Sequence, residues 1–265
     1  MCIIEITDLE TEALKPYLSL TDKQLRTYCD GGLFVAESPK VINSALQAGM
    51  VPVSLLCEKK HIEGDAAEII RSNPEMPVYT GTRELLAKLT GYTLTRGVLC
   101  AMKRPVLPPT CEILKHAKRI CVIYDVCDTT NIGNIFRSAA ALGIDGIILS
   151  PETCDPLNRR SIRVSMGTVF QIPWCYDANI IKTLRDNDFI SISMALEERS
   201  IFLQDFEIER DKKYAVIFGS EGYGLPENVI KSTDVVVKIP MHNNVDSLNV
   251  GAAAAITMWH IAEKI

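Results

Sequence analysis

Residues 216–226 read Val216-Ile217-Phe218-Gly219-Ser220-Glu221-Gly222-Tyr223-Gly224-Leu225-Pro226, a short apolar run that empties into a loop with three glycines in six residues. The run has the length and continuous hydrophobicity of a strand buried on both faces. The glycines allow a ligand or a second backbone to approach closely, and Glu221 places a carboxylate inside the loop. The lysine of a nucleotide phosphate loop is missing and the spacing departs from GxGxxG, so neither phosphate-binding label applies.

The same grammar, a strand that ends in a polar loop and then enters a helix, recurs on either side. Upstream, Ile123-Tyr124-Asp125 leads through Asp128-Thr129-Thr130-Asn131-Ile132-Gly133-Asn134 into a helix that carries Arg137. The first turn of such a helix leaves backbone N–H groups free, a place to hold a phosphate or carboxylate; a capped helix with Arg137 in solvent is the alternative. Downstream, Val237-Lys238-Ile239-Pro240-Met241 ends a strand, and Asp246 or Ser247 is expected to N-cap a last helix that begins Leu248-Asn249-Val250-Gly251. Helix packing alone accounts for the small residues Gly251 to Ala255, but it does not call for Ser247 and Asn249 at the helix mouth.

Strands are expected at Arg119–Asp125, Gly146–Leu149, Val169–Pro173, Phe189–Met194, Tyr214–Phe218 and Val235–Ile239, with helices between most of them. This alternation predicts a mainly parallel sheet covered on both faces, with ligands bound outside the carboxyl ends of its strands. The first half alternates more weakly. Short helices are expected at Thr7–Leu14 and Thr21–Tyr28, the second with Thr21 as N-cap and Gln24 three residues on, strands at Leu33–Ala36, Pro52–Cys57, Val78–Tyr79 and Val98–Met102, and helices capped by Ser38 and ended by Gly49, over Ala66–Ile70 and over Thr82–Thr90. The prolines at 105, 108 and 109 favour an extended connector, which divides the chain into a smaller α/β domain over 1–104, a linker over 105–112 and a second domain over 113–265.

Composition limits the function classes. At 265 residues, 47% hydrophobic and 23% charged, the chain can bury a sizeable core, and disorder, collagen and coiled coil are excluded. Nine scattered cysteines without a CxxC or paired Cys/His spacing predict reduced thiols. An early carboxylate at Glu5 and no long apolar run predict a cytoplasmic protein off the membrane. The four histidines show no ligand spacing, so no metal is implied. A net charge of −5 argues against a surface coated for nucleic acid but leaves room for the local clusters Lys103-Arg104, Lys115-His116 with Lys118-Arg119, and Arg159-Arg160 with Arg163.

The order Asn131-x-Gly133…Arg137, Gly219-x-Glu221-Gly222-x-Gly224 and Ile239-Pro240-Met241…Ser247-Leu248-Asn249-Val250 resembles the SpoU/TrmH branch of the SPOUT RNA methyltransferases. Asp128-Thr129-Thr130-Asn131 departs from the Asp-Pro that many relatives carry before the asparagine, a change in turn geometry. Phe34-Val35-Ala36-Glu37-Ser38-Pro39-Lys40-Val41 and Thr95-Arg96-Gly97-Val98-Leu99-Cys100-Ala101 are similar to that family's N-terminal substrate-binding domain, itself similar to RNA-binding ribosomal proteins. The resemblance implies an α/β SPOUT fold with a deep trefoil knot, a homodimer, S-adenosylmethionine as cofactor and methylation of a ribose 2′-hydroxyl. It implies structured RNA as substrate, 23S ribosomal RNA ahead of transfer RNA.

By the same resemblance, Gly219, Ile239, Met241, Ser247 and Leu248 meet the cofactor, and Arg137, Asn131, Glu221, Ser247 and Asn249 form the catalytic site. A non-catalytic RNA-binding module of the same fold is the alternative, marked by loss of the arginine or the cofactor loop; both are present here. A nucleotide-dependent oxidoreductase would need a glycine fingerprint after the first strand of either half, which is absent.

Overall fold

The computed structural model describes residues 2–7, 11–18, 20–90, 97–243 and 245–263, in two compact units. The first comprises Met1–Val106 together with Leu157–Phe170, and the second Leu107–Pro156 with Gln171–Ile265. The division falls within the proline-rich stretch, but Leu157–Phe170, read from the sequence as part of the second domain, packs with the first.

In the first unit, strands β1 (Cys2–Glu5), β2 (Leu33–Glu37), β3 (Pro52–Glu58), β4 (Pro77–Gly81) and β5 (Val98–Lys103) form one sheet in the order β1-β4-β3-β5-β2. β1, β4 and β3 run parallel, whereas β5 is antiparallel to both β3 and β2. β2 closes the sheet yet is buried throughout, because the Arg159–Val164 and Pro39–Gln47 helices pack on it and Phe170 sets its ring 5.4 Å from Phe34. That contact overrides the local pattern: Val169, Phe170 and Ile172 carry the hydrophobicity of a strand, but Thr168–Phe170 is a 3-10 turn and the strand starts only after Pro173. β1 was not legible because all four residues are exposed. The helix expected over Thr7–Leu14 partly lies outside the described residues; a 3-10 helix, Glu12–Tyr17, follows instead. The matching stretch at Thr95-Arg96 also lies outside them.

Thr21 closes a capping box with Gln24 as its spacing predicts. Ser38 does not cap: its side chain makes no cap bond, and its backbone sits at φ 83°, ψ 144°, a region that suits glycine. Pro39 sets the first helical turn instead. Ser38→Gly is therefore expected to stabilise the protein by about 1 kcal/mol, relief of strain exceeding the added chain entropy. A higher urea midpoint checks this; a lower one means that the Ser38 side chain makes a contact worth more than the strain.

The second unit holds β6 (Arg119–Ile123), β7 (Gly146–Leu149), β8 (Trp174–Tyr176), β9 (Phe189–Met194), β10 (Ile201–Phe202), β11 (Lys213–Phe218) and β12 (Val235–Lys238). They form one sheet in the order β10-β12-β9-β11-β6-β7-β8, every pair parallel. β6 is buried at every residue, as a strand covered on both faces must be. Ile120 and Val122 of β6 and Ala215 and Ile217 of β11 share a core with Leu184, Val229 and Ile230 from the flanking helices. The register pairs Phe218 with Ile123, Ile217 with Ser193 and Val237 with Met194. The carboxyl ends of β6, β9, β11 and β12 thus lie side by side, and the three loops singled out in the sequence leave from that edge.

Candidate active site

The loop after β11 is a tight hairpin. The Ser220 N–H donates to Gly224 O (3.1 Å) and the Gly224 N–H returns to Ser220 O (3.0 Å). Gly224 needs its freedom, with φ at +65°, and Gly219 has no room for a side chain: a Cβ there would lie 2.3 Å from the Gly224 carbonyl carbon. The loop doubles back on its own strand end and presents Glu221.

The loop after β6 is set by a strained residue. Asp125 adopts φ 56° and is fixed by its N–H, which donates to Ser150 Oγ (2.8 Å) and Thr153 Oγ1 (3.0 Å), while Ser150 Oγ donates to Asp125 Oδ1 (2.6 Å). The chain then turns into the Thr129–Ala141 helix, where Asp128 accepts from the Thr130 N–H at 2.6 Å. Ser150 and Thr153 were missed in the sequence; a polar pair after a strand carries no pattern that separates it from an ordinary turn.

Asn131 joins the three loops. It is only 4% exposed, and its Nδ2 donates to Glu221 Oε1 (2.7 Å) while its Oδ1 accepts from Asn249 Nδ2 (2.9 Å). Asn249 Oδ1 in turn accepts from the backbone N–H groups of Gly251 (2.9 Å) and Ala252 (3.3 Å). Asn249 is thus the N-cap of the Val250–Glu263 helix, the role expected of Asp246 or Ser247. An asparagine can donate and accept at one site, so the chain Glu221–Asn131–Asn249–helix terminus runs without an orphaned group. Gly251 allows this proximity, since a Cβ there would meet Asn249 Oδ1 at 3.1 Å and Asn134 Cβ at 3.3 Å.

Asn131→Asp sets a carboxylate oxygen against Glu221 Oε1 and is expected to cost about 2 kcal/mol at pH 7. Two carboxyls so placed share a proton, which raises their folded-state pKa above the unfolded one, so the loss is largest at neutral pH and recovers as pH falls towards about 4. Thermal unfolding at both pH values checks this; an equal loss at both means that the two groups do not face each other in solution.

Against the network lies a cavity of about 590 Å³ whose walls come from three strand ends. Gly219, Ile239, Met241, Ser247 and Leu248, the five residues expected at a cofactor, all line it, as do Glu221 and Asn249. Asn131 stands behind Glu221 rather than in the lining. Arg137 is exposed farther along its helix and is not part of the cavity wall. The third wall, Met194 to Glu197 at the end of β9, was missed, although the rule that ligands sit at carboxyl ends of parallel strands names it once β9 is placed beside β11 and β12.

Cys154, near the same edge, is no nucleophile. Burial pushes its thiol up to about 12, and Cys127, Asp155, Glu221 and Asp128 push in the same direction, so it stays protonated at neutral pH.

A model of the SpoU rRNA Methylase family matches residues 118–259. An uncharacterised tRNA/rRNA methyltransferase of Mycobacterium bovis is 30% identical over 234 residues, covering 86% of this chain and 80% of that protein. The 23S rRNA (guanosine(2553)-2′-O)-methyltransferase RlmP of Bacillus subtilis is 25% identical over 260 residues, 97% of this chain and 98% of that protein. The AdoMet-bound rRNA methyltransferase of Sinorhizobium meliloti shares the fold with a TM-score of 0.83 at 24% identity, over 98% of both chains. The family match spans the sheet, the hairpin, the asparagine network and the cavity, and the chain belongs to the SpoU family of RNA methyltransferases.

Proposed function

We propose that this protein transfers the methyl group of S-adenosylmethionine to a ribose 2′-hydroxyl of RNA in the cytoplasm, with 23S ribosomal RNA as substrate. The observation that carries this reading is the convergence of Gly219, Ile239, Met241, Ser247 and Leu248 on one cavity that abuts the Glu221–Asn131–Asn249 chain. The cavity's volume suits a nucleoside cofactor, and its walls mix apolar side chains with a few polar groups, as a neutral ring and a sugar require. When bound, the cofactor supplies an electrophilic methyl group. The resemblance of the whole chain to a 2′-O-specific 23S rRNA enzyme supports the acceptor and the RNA.

The protein's own residues have three tasks. The hairpin at Gly219 and the loop from Ile239 to Leu248 hold the cofactor. Glu221, fixed by Asn131, and Asn249, fixed on the helix terminus, give the site a rigid polar end. Arg137, exposed and planar, meets an RNA phosphate or the oxygen that gains charge as its proton leaves; a guanidinium does not itself take that proton. A C-terminal segment threaded as a trefoil knot brings the loops after β11 and β12 around the cofactor.

RNA contact falls to the first unit, which carries two of the three basic clusters: Lys103 with Arg104, and Arg159, Arg160 and Arg163 on the segment that packs with it. Affinity resting on such local clusters falls steeply with salt, and a salt-insensitive affinity contradicts this assignment.

The second copy of a homodimer covers the Val250–Glu263 helix. Ala252, Ile256 and Trp259 project from one face at helical spacing and are exposed, the last two by 42% and 54%. Trp259→Glu is expected to weaken self-association at least 100-fold, so that light scattering reports the 29.4 kDa chain where wild type reports twice that mass. A monomeric wild-type protein overturns the assignment.

Incubation with labelled cofactor and, separately, undermethylated ribosomal RNA and transfer RNA tests the whole reading. Label confined to ribosomal RNA supports it, label confined to transfer RNA corrects the substrate, and cofactor binding without label in either leaves an RNA-binding module.

A further inference from the structure

Glu197 is the one carboxylate in the cavity wall, besides the network-bound Glu221, that the proposed chemistry leaves unused. It follows the carboxyl end of β9, and its place is built rather than incidental. Ser200, only 8% exposed, accepts the Glu197 N–H at its Oγ (2.9 Å) and donates to Ala195 O (2.9 Å), folding residues 195–200 into a tight turn. Lys238 Nζ donates to Glu197 O at 3.4 Å with its ammonium 5.2 Å from the Phe202 ring. Arg199 anchors on Ile230 O through Nη2 (2.9 Å) and donates through Nε to Glu197 Oε2 (3.1 Å). Those bonds occupy one carboxylate oxygen; Oε1 carries no bond to any described residue, on a side chain 32% exposed at the cavity wall.

A carboxylate with one oxygen unengaged, in the wall of a cavity that suits a nucleoside, has an evident complement. A ribose presents two adjacent hydroxyls, both donors, and a carboxylate at the end of a parallel strand is the group that accepts from such a pair. Resting on the cofactor reading above, we propose that Glu197 accepts from the ribose hydroxyls of the bound cofactor and so selects ribonucleosides over deoxyribonucleosides. The contrary assignment gives Glu197 the cofactor's positively charged amino group, and the two differ in what a ligand without that group does.

Calorimetric titration of wild type, Glu197→Gln and Glu197→Ala with S-adenosylhomocysteine and with 5′-methylthioadenosine, which has the ribose but no amino acid portion, separates them. Both variants are expected to raise the dissociation constants of both ligands at least tenfold, the usual effect of losing a hydrogen bond to a charged group. Deoxygenated 5′-methylthioadenosine, lacking the 2′- or the 3′-hydroxyl, is expected to bind wild type at least tenfold more weakly than its parent, and to differ from it less than threefold in Glu197→Ala. The wild-type half of that comparison needs no substitution and stands even if a variant misfolds. A loss confined to S-adenosylhomocysteine assigns Glu197 to the amino group and overturns the proposal. Unchanged affinities reduce the Glu197–Arg199 pair to a surface ion pair, also overturning it. Wild-type protein that binds neither adenosine ligand overturns the cofactor reading as well, and is thereby distinguished from failure of this proposal alone.

Discussion

Arg137→Lys lowers methyl transfer by about two orders of magnitude, while the affinity for the cofactor stays within about twofold of wild type. The two halves of this expectation come from one observation: Arg137 is exposed and stands outside the cavity wall, whereas the residues that line the cavity come from other loops. Lysine keeps the charge but replaces a planar fork of donors with a point charge on a flexible stem, so a bidentate partner loses one bond and its geometry. If the arginine serves only general attraction to RNA, lysine substitutes well and the rate survives. Single-turnover methylation at saturating RNA makes the distinction, since weaker RNA binding then no longer limits. A lysine variant at near wild-type rate removes Arg137 from the chemistry.

Gly219→Val abolishes cofactor binding, with a loss of at least 100-fold. The first atom of any side chain at 219 falls 2.3–2.5 Å from three backbone atoms of Gly224 and Leu225. Backbone cannot swing aside as a side-chain tip does, so the hairpin must open, and Ser220 and Gly224 lose their reciprocal bonds. Glu221 moves with the hairpin and leaves Asn131. Gly222→Ala is the matched control: nothing lies within 4 Å of its added carbon, and its thermal midpoint is expected to be unchanged. Equal effects at 219 and 222 mean that the loop is flexible and that close packing is not what fixes the site.

The parts of this fold that were legible are those where burial writes a pattern. β7 and β9 fall where the sequence places them, and β6, β11 and β12 within one or two residues, because buried strands carry apolar runs that are broken only by Ser191 and Ser193 in β9 and by a charged residue at one end of β6, β11 and β12. What escaped depends on partners distant in sequence. Phe170 turns rather than extends because Phe34 receives it, and β1 carries no burial signal to read. Ser38 holds a glycine-like conformation that no local rule assigns to serine. At the site, the cavity-lining glycine, isoleucine, methionine, serine and leucine were named through motif resemblance, and the structure gathers them. The asparagine relay was not visible as a relay: Asn131 and Asn249 are 118 residues apart, and only the pairing of β6, β9, β11 and β12 shows why one must donate and accept while the other caps a helix. Met194 to Glu197 escaped for the same reason, since a strand end becomes a wall only when its neighbours in the sheet are known.

The most direct measurement is the position of the transferred methyl group. RNA incubated with protein and labelled S-adenosylmethionine is hydrolysed in alkali, which cleaves each linkage through its free 2′-hydroxyl and spares a linkage whose 2′-oxygen carries a methyl. Label recovered in an alkali-resistant dinucleotide is the expected result. Label released with mononucleotides places the methyl on a base and contradicts ribose methylation by this site.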